Sequence, residues 1–415
     1  MTGGDDPIGP IKPTTPNGDE SKVFQGIPVA PGTNAGRRGS FPLALTGMFA
    51  LIALVEAVVG RYPVAFSDYM ACSWRFAAEA ARGTGARAEV LGLGDSMLKL
   101  GVQPPVLERR LGRPSYNLAI YGGQAPSTYF LLRRVIESGG RPKVVIVNFH
   151  SNLLSASPTL SAPYWNELIS ARDGLELAYG TRSPNLVTRT ALARLLPTFN
   201  GREEIRAAIL ASAGVKDNEE LEARRSHQRN WQANHGGHAN DSAYHAGESI
   251  DVNPARPGKW SPRTLHVGYV RRFLDLAQSR GIMVVWLIPP THADWQLRRE
   301  RLRVDELYTR FIRQMTTARP NVMVVDGRHA GYPQEAMVDS THLGARGGTE
   351  VTEALADILA PRLAGVTGLP NWVDLPRYRG MNTDPCVETL GRSRQTLRLA
   401  CERESGVSPI FSDKK

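Results

Sequence analysis

The sequence predicts an α/β protein built on a parallel five-stranded sheet, and three observations carry that expectation. Short β-branched runs recur at 88–94, 115–120 (SYNLAI), 144–149 (VVIVNF), 283–289 (MVVWLIP) and 321–326 (NVMVVD). Segments with helical spacing at 128–138, 265–280, 303–318 and 346–364 separate several of them. Strands alternating with helices imply parallel pairing through right-handed crossovers. Third, polar and chemically useful residues collect where the runs end, the edge at which open parallel sheets bind ligands.

Taken in chain order, residues 1–40 are rich in Gly, Pro, Asp, Thr and Asn. Such a segment buries too little apolar surface to offset its ordering entropy, so disorder is expected. Residues 41–60 (FPLALTGMFALIALVEAVVG) meet the length of about 20 apolar residues that a bilayer core requires. Arg37 and Arg38 precede this run and Arg61 follows it. Positive residues favour the cytoplasmic side, which places the N-terminus inside and the remainder outside. A forty-residue leader is too long for a cleaved signal peptide. The alternative is a buried amphipathic helix, for which the single charge, Glu56, is the best support.

The main domain is expected over 85–365, interrupted by an insertion at 153–264 that is helical in its middle. The insertion ends in a polar run at 226–249, a long loop of the kind that often serves as an active-site lid. Residues 366–415 have few periodic signals and read as an extended tail packed on the domain.

Composition narrows the function classes. Of 415 residues, 41% are hydrophobic and 22% charged, which suits a folded core. The net charge of +10 could serve nucleic acid, an anionic membrane or an acidic polymer. Its Arg residues are scattered with no basic block, which speaks against a nucleic-acid arm and for a solvated basic surface. Three cysteines make no disulfide framework; Cys386 and Cys401 either pair or stay free thiols. No Cys-x-x-Cys is present, which disfavours a structural zinc site.

The chemistry lies at the strand ends. The first run delivers Ser96, the second Gly122 and Gly123, the third His150, Ser151 and Asn152, and the stretch after the last run Asp339 and His342. A serine hydroxyl needs a base to take its proton. His342 can act as that base through one ring nitrogen while Asp339, three residues earlier, fixes the other. Attack on an ester carbonyl creates an oxyanion, which the N–H groups of Ser96 and Gly122 and the amide of Asn152 are placed to hold. A second Asp-x-x-His pair, Asp326 and His329, has the same spacing. Asp339 and His342 are preferred because an amphipathic helix follows them at once, whereas Asp326 ends a strand. Asn117 reads as a structural hydrogen-bonder, and His150 as a satisfied interior histidine in preference to a substrate contact or a rival base.

These blocks resemble those of the SGNH (GDSL-like) hydrolase superfamily. GLGDSML is similar to the block that carries the nucleophile, NLAIYGG to the block that carries the oxyanion glycine, VVIVNFHSN to the third block and DSTHL to the last. The resemblance implies a flavodoxin-like three-layer α/β/α sandwich, a Ser96–His342–Asp339 triad, an oxyanion hole from Ser96, Gly122 and Asn152, and no cofactor. It spans about 85–365 less the insertion, and departs at His150, where a glycine is usual, and at Leu153, where an aspartate is usual. Together with the apolar run it implies a single-pass membrane protein whose extracytoplasmic domain is a serine esterase or acyltransferase. Its substrates would be acyl esters of carbohydrates or cell-envelope polymers. The rival is a catalytically inactive SGNH-like glycan-binding or assembly module at the membrane.

One further segment, HQRNWQANHGGHANDSAYH, holds His227, His235, His238 and His245. Histidine clusters can bind zinc or nickel, but the surrounding Gly, Asn and Ser favour a loop without metal.

Overall fold

In the computed structural model, residues 43–61, 67–181, 219–246 and 256–404 are described, with a few positions between 188 and 205. The segment expected to be disordered, 1–40, lies outside the described residues. The chain forms two units, 1–51 and 52–415. The apolar run is a helix, Leu43–Arg61, in which Leu45, Met48, Phe49, Leu51, Ile52, Leu54, Val55 and Val58 are exposed. From Ala44 to Arg61 it is long and apolar enough to cross a membrane. Glu56 is not isolated there, since its carboxylate accepts from the Thr198 N–H at 2.9 Å.

The second unit is built on β1 (Val90–Leu93), β2 (Ser115–Asn117), β3 (Val144–Val147), β4 (Met283–Ile288), β5 (Val322–Asp326) and β6 (Trp372–Asp374). Their order is β2-β1-β3-β4-β5-β6, all parallel. Every residue of β1, β3 and β5 is buried, the pattern of a parallel sheet covered on both faces. Successive residues point to opposite faces, and two apolar clusters result. Leu91, Leu93, Val145, Val147, Val284 and Trp286 join one cluster, with residues from the helices Tyr69–Ala80, Ala125–Glu137, Thr264–Ser279 and Val304–Thr316. Val90, Val144, Ile146, Val285 and Leu287 join the other, with Leu98, Leu107 and the helix Ala345–Leu363.

The sheet therefore has six strands, not five. The extra strand lies in the stretch expected to be an extended tail, where Val373 pairs with Val325. Three residues on a sheet edge are too short to leave a periodic signal. The same tail also holds a helix, Leu390–Glu404.

The polar run at 226–249 is likewise not the loop expected. Its first part belongs to the helix Glu219–Ala233. Residues 234–246 then form a strap, tied in turn to β2, to the helix after β1 and to the loop after β5. Asn117 N–H donates to His235 O at 2.8 Å, His238 N–H to Lys99 O at 2.9 Å, and His245 N–H to Val338 O at 3.0 Å. The tail buckles this strap down. Leu390 N–H donates to Ala239 O and Asn234 Nδ2 to Glu388 O, both at 2.8 Å, and Arg229 pairs with Glu388 at 2.9 Å. Gly236 is required at the tightest point: its φ is +86°, and a Cβ there would lie 2.0 Å from Asn117 O. A left-handed backbone and a backbone clash compound each other.

Gly236→Ala is therefore expected to destabilise the domain by about 2 kcal/mol or more, beyond the cost of left-handed strain alone. Gly258→Ala is the matched control, with φ at +73° and open space around its Cβ. Urea unfolding of both variants checks this; an equal loss at the two positions contradicts the packing of the strap.

Candidate active site

The corner after β1 is set by a buried carboxylate. Asp95 caps the helix Ser96–Gly101 by accepting from Met97 N–H at 2.9 Å. Asn148, the first residue after β3, completes the arrangement. Its Nδ2 donates to Asp95 Oδ1 at 2.8 Å, and its Oδ1 accepts from Asp95 N–H at 3.1 Å. Burial raises the Asp95 pKa, and the Asn148 amide and the Met97 N–H oppose that rise. Gly94 lets the two strand ends approach this closely, because a Cβ there would lie 2.0 Å from Asn148 Oδ1. Ser96 follows as the first residue of the helix, and it is half-buried.

Ser96 Oγ lies 2.7 Å from His342 Nε2, and His342 Nδ1 lies 2.7 Å from Asp339 Oδ2. With Nδ1–H donating to the carboxylate, Nε2 keeps its lone pair toward the serine hydroxyl. Asp339 is itself fixed, since its Oδ1 accepts from the N–H groups of Thr341 at 2.8 Å and of His342 at 2.9 Å. Burial works to raise the Asp339 pKa, but the His342 imidazole and these two N–H groups outweigh it and hold it well below the usual range. The loop is closed by Val338 N–H donating to His342 O at 2.9 Å, and it is tied to the start of the helix after β4 by His292 N–H donating to Ser340 O at 3.0 Å. The other pair is arranged differently. Asp326 is held by Arg328 at 2.5 Å, and the His329 side chain is 74% exposed.

Gly122, with φ at +63°, sits in a turn pressed against the same corner. Ile120 N–H donates to Gly94 O at 3.1 Å, and Ser161 Oγ donates to Gly122 O at 2.9 Å. Asn117 is structural as expected, since its Nδ2 donates to Leu98 O and Val102 O. Asn152 lies in the short helix Ser151–Ser155 and is buried, and its Oδ1 has no partner among the described residues. No hydrogen bond among those residues links it to Ser96, Gly122 or His342. His150 accepts from Arg299 at 3.3 Å; burial first, then Arg299 and His342, keep it neutral.

Two residues near this corner escape a sequence reading. Asn148 reads as part of an apolar strand, yet it is the side chain that grips Asp95. Lys99 reads as an ordinary basic residue within SMLKLG, yet it is wholly buried. The histidines of the insertion go separate ways. His227 and His238 face each other with ring centroids 5.0 Å apart, while His235 Nδ1 lies 3.2 Å from Glu108. Among the described residues no group of three or more His, Cys, Asp or Glu side chains is arranged to hold a metal. Cys386 is an exposed free thiol.

Compared with known proteins, the chain matches no family model, and no curated protein matches it.

Removing the Asn148 amide should leave a buried carboxylate and a buried N–H without their partner. Asn148→Ala is expected to cost about 2 kcal/mol. The Asp95 pKa is already raised in the folded state and should rise further without the amide, so the folded state holds its proton to higher pH. The destabilisation should therefore be larger at neutral pH, where the carboxylate is charged, than near its unfolded-state pKa of about 4. Denaturant unfolding at both pH values checks this; an equal cost contradicts the ionic role assigned to Asn148.

Proposed function

We propose that this protein is a serine esterase or acyltransferase of the SGNH type, with the flavodoxin-like three-layer architecture which that class implies. The hydrogen-bonded chain from Ser96 through His342 to Asp339 is the observation that carries the reading. His342 Nε2 takes the Ser96 proton as Oγ bonds to the acyl carbon, and the carbonyl electrons move onto oxygen. The N–H groups of Ser96 and Gly122 and the Asn152 amide hold that oxyanion. The carbonyl then reforms, the alkoxide leaves with the proton from His342, and acyl-Ser96 remains. Water or a second hydroxyl then gives its proton to His342 as it bonds to the acyl carbon, and the Ser96 oxygen leaves with that proton returned from His342. The residues in these roles need no metal or cofactor.

The substrate class rests on the superfamily resemblance and on the apolar helix before the domain. Together they favour acyl esters of carbohydrates or cell-envelope polymers, met outside the cytoplasm by a domain held through Leu43–Arg61. Burying that helix in lipid is insensitive to salt, unlike surface charge. The full chain should therefore remain with membranes through a high-salt wash. Recovery of the full chain in the soluble fraction contradicts the anchor.

The activity itself is tested with a fluorophosphonate probe. The wild-type chain should be labelled at Ser96, and Ser96→Ala should not be. His342→Ala should lower esterase activity by about 1000-fold or more, while His329→Ala should keep most of it. A folded protein without labelling at Ser96, or one equally impaired by the two histidine changes, overturns the proposal.

A further inference from the structure

Lys99 lies one turn after Ser96 on the same short helix and is 0% exposed. Its Nζ donates to Gly236 O at 3.0 Å and to Ala119 O at 3.2 Å, and it sits 4.7 Å from the centre of the Trp231 ring. No carboxylate forms an ion pair with it among the described residues. Buried charges are ordinarily paired, because desolvating an ammonium is costly.

The groups that surround Lys99 do not supply the missing charge. Tyr121 lies with its ring centre 6.0 Å from Nζ, and its hydroxyl is hydrogen-bonded to His238 Nδ1. Burial raises the pKa values of Tyr121 and Tyr69, lowers that of His227 to about 4, and holds that of His238 well below the usual imidazole range. All four are neutral near pH 7. Arg394 of the tail helix acts on the two histidines as a second cation, and on the strap His235 is already matched by Glu108. Among the described residues no negative group thus answers Lys99 when it is charged, and the carbonyl of Ala119 that it holds lies just before the turn at 120–123 that carries Gly122.

We propose that Lys99 is the positioning residue of the oxyanion site: its ammonium clamps Ala119, which leads into the Gly122 turn, and the strap to the Ser96 helix, and the negative charge it answers is the one that develops on the substrate carbonyl during attack. The proposal rests on the serine-esterase reading of the same site. Burial brings the Lys99 pKa down to about 7. The neutral amine still has hydrogens for both carbonyls, so raising the pH removes the charge and leaves the turn in place. Turnover should then fall with rising pH while substrate binding does not, since the charge matters in the transition state.

The test uses the full-length wild-type protein and Lys99→Met, with 4-nitrophenyl acetate as substrate, from about pH 6 to about pH 9. Labelling of wild-type Ser96 by the fluorophosphonate is measured alongside. The wild-type kcat is expected to show an alkaline limb centred near 7 with KM nearly constant. Folded Lys99→Met should lose about 10-fold or more in kcat at the acid end, and it should lack the limb. If Lys99→Met does not fold, the wild-type profile decides: the limb supports the proposal, and a flat or rising kcat overturns it. Wild-type labelling with a flat profile, or a folded Lys99→Met that keeps the limb, overturns the role of Lys99 and leaves the esterase reading standing. Absence of wild-type labelling overturns both, and so separates the two failures.

Discussion

A carboxylate buried at the carboxyl end of a central strand must find partners there, and Asp95 makes three hydrogen bonds, two accepted by its carboxylate and one donated by its own N–H. Two of them join Asp95 to Asn148, so the ends of β1 and β3 are locked together. The third caps the helix that begins at Ser96. The position of the serine is therefore fixed by a contact between adjacent strands rather than by a flexible loop. The turn at 120–123 depends on the same corner, because Gly94 O is the acceptor for Ile120 N–H.

The other half of the site is fixed from a different direction. The 338–343 loop is pinned to itself, to the start of the helix after β4 and to the strap by backbone hydrogen bonds. Asp339 spends one oxygen on N–H groups of its own turn and the other on His342. The imidazole is thus oriented before any ligand arrives, which is what a base acting on a serine hydroxyl requires. The tail contributes at a distance, by holding down the strap that crosses between these two halves.

How much of this is legible in the sequence depends on the range of the interactions. The core strands are legible because burial on both faces demands continuous apolar runs, and these are local. β6 is not, since Trp372–Asp374 is ordered by pairing with β5 rather than by its own pattern. Ser96, Asp339 and His342 can be singled out because each follows a strand or precedes a helix in a short polar block. Of the two Asp-x-x-His pairs, His342 and not His329 lies within hydrogen-bond distance of a serine among the described residues. The strap could not be foreseen. Its Gly, Asn and His composition reads as loop, and its hydrogen-bond partners are Asn117, Lys99, Val338 and Glu388, all distant in sequence. Asn148 and Lys99 were hidden for the opposite reason, because each stands within an apolar run that looks like plain core.

On the proposed mechanism Ser96 becomes covalently acylated during turnover. Mass spectrometry of the protein quenched in acid while turning over an activated acetate ester tests it most directly. One acetyl group per chain is expected, on the peptide containing Ser96, and it should be lost when the quench is delayed until substrate is consumed. An acetyl group on another residue, or turnover with Ser96 unmodified under conditions that trap acyl-enzymes, contradicts it.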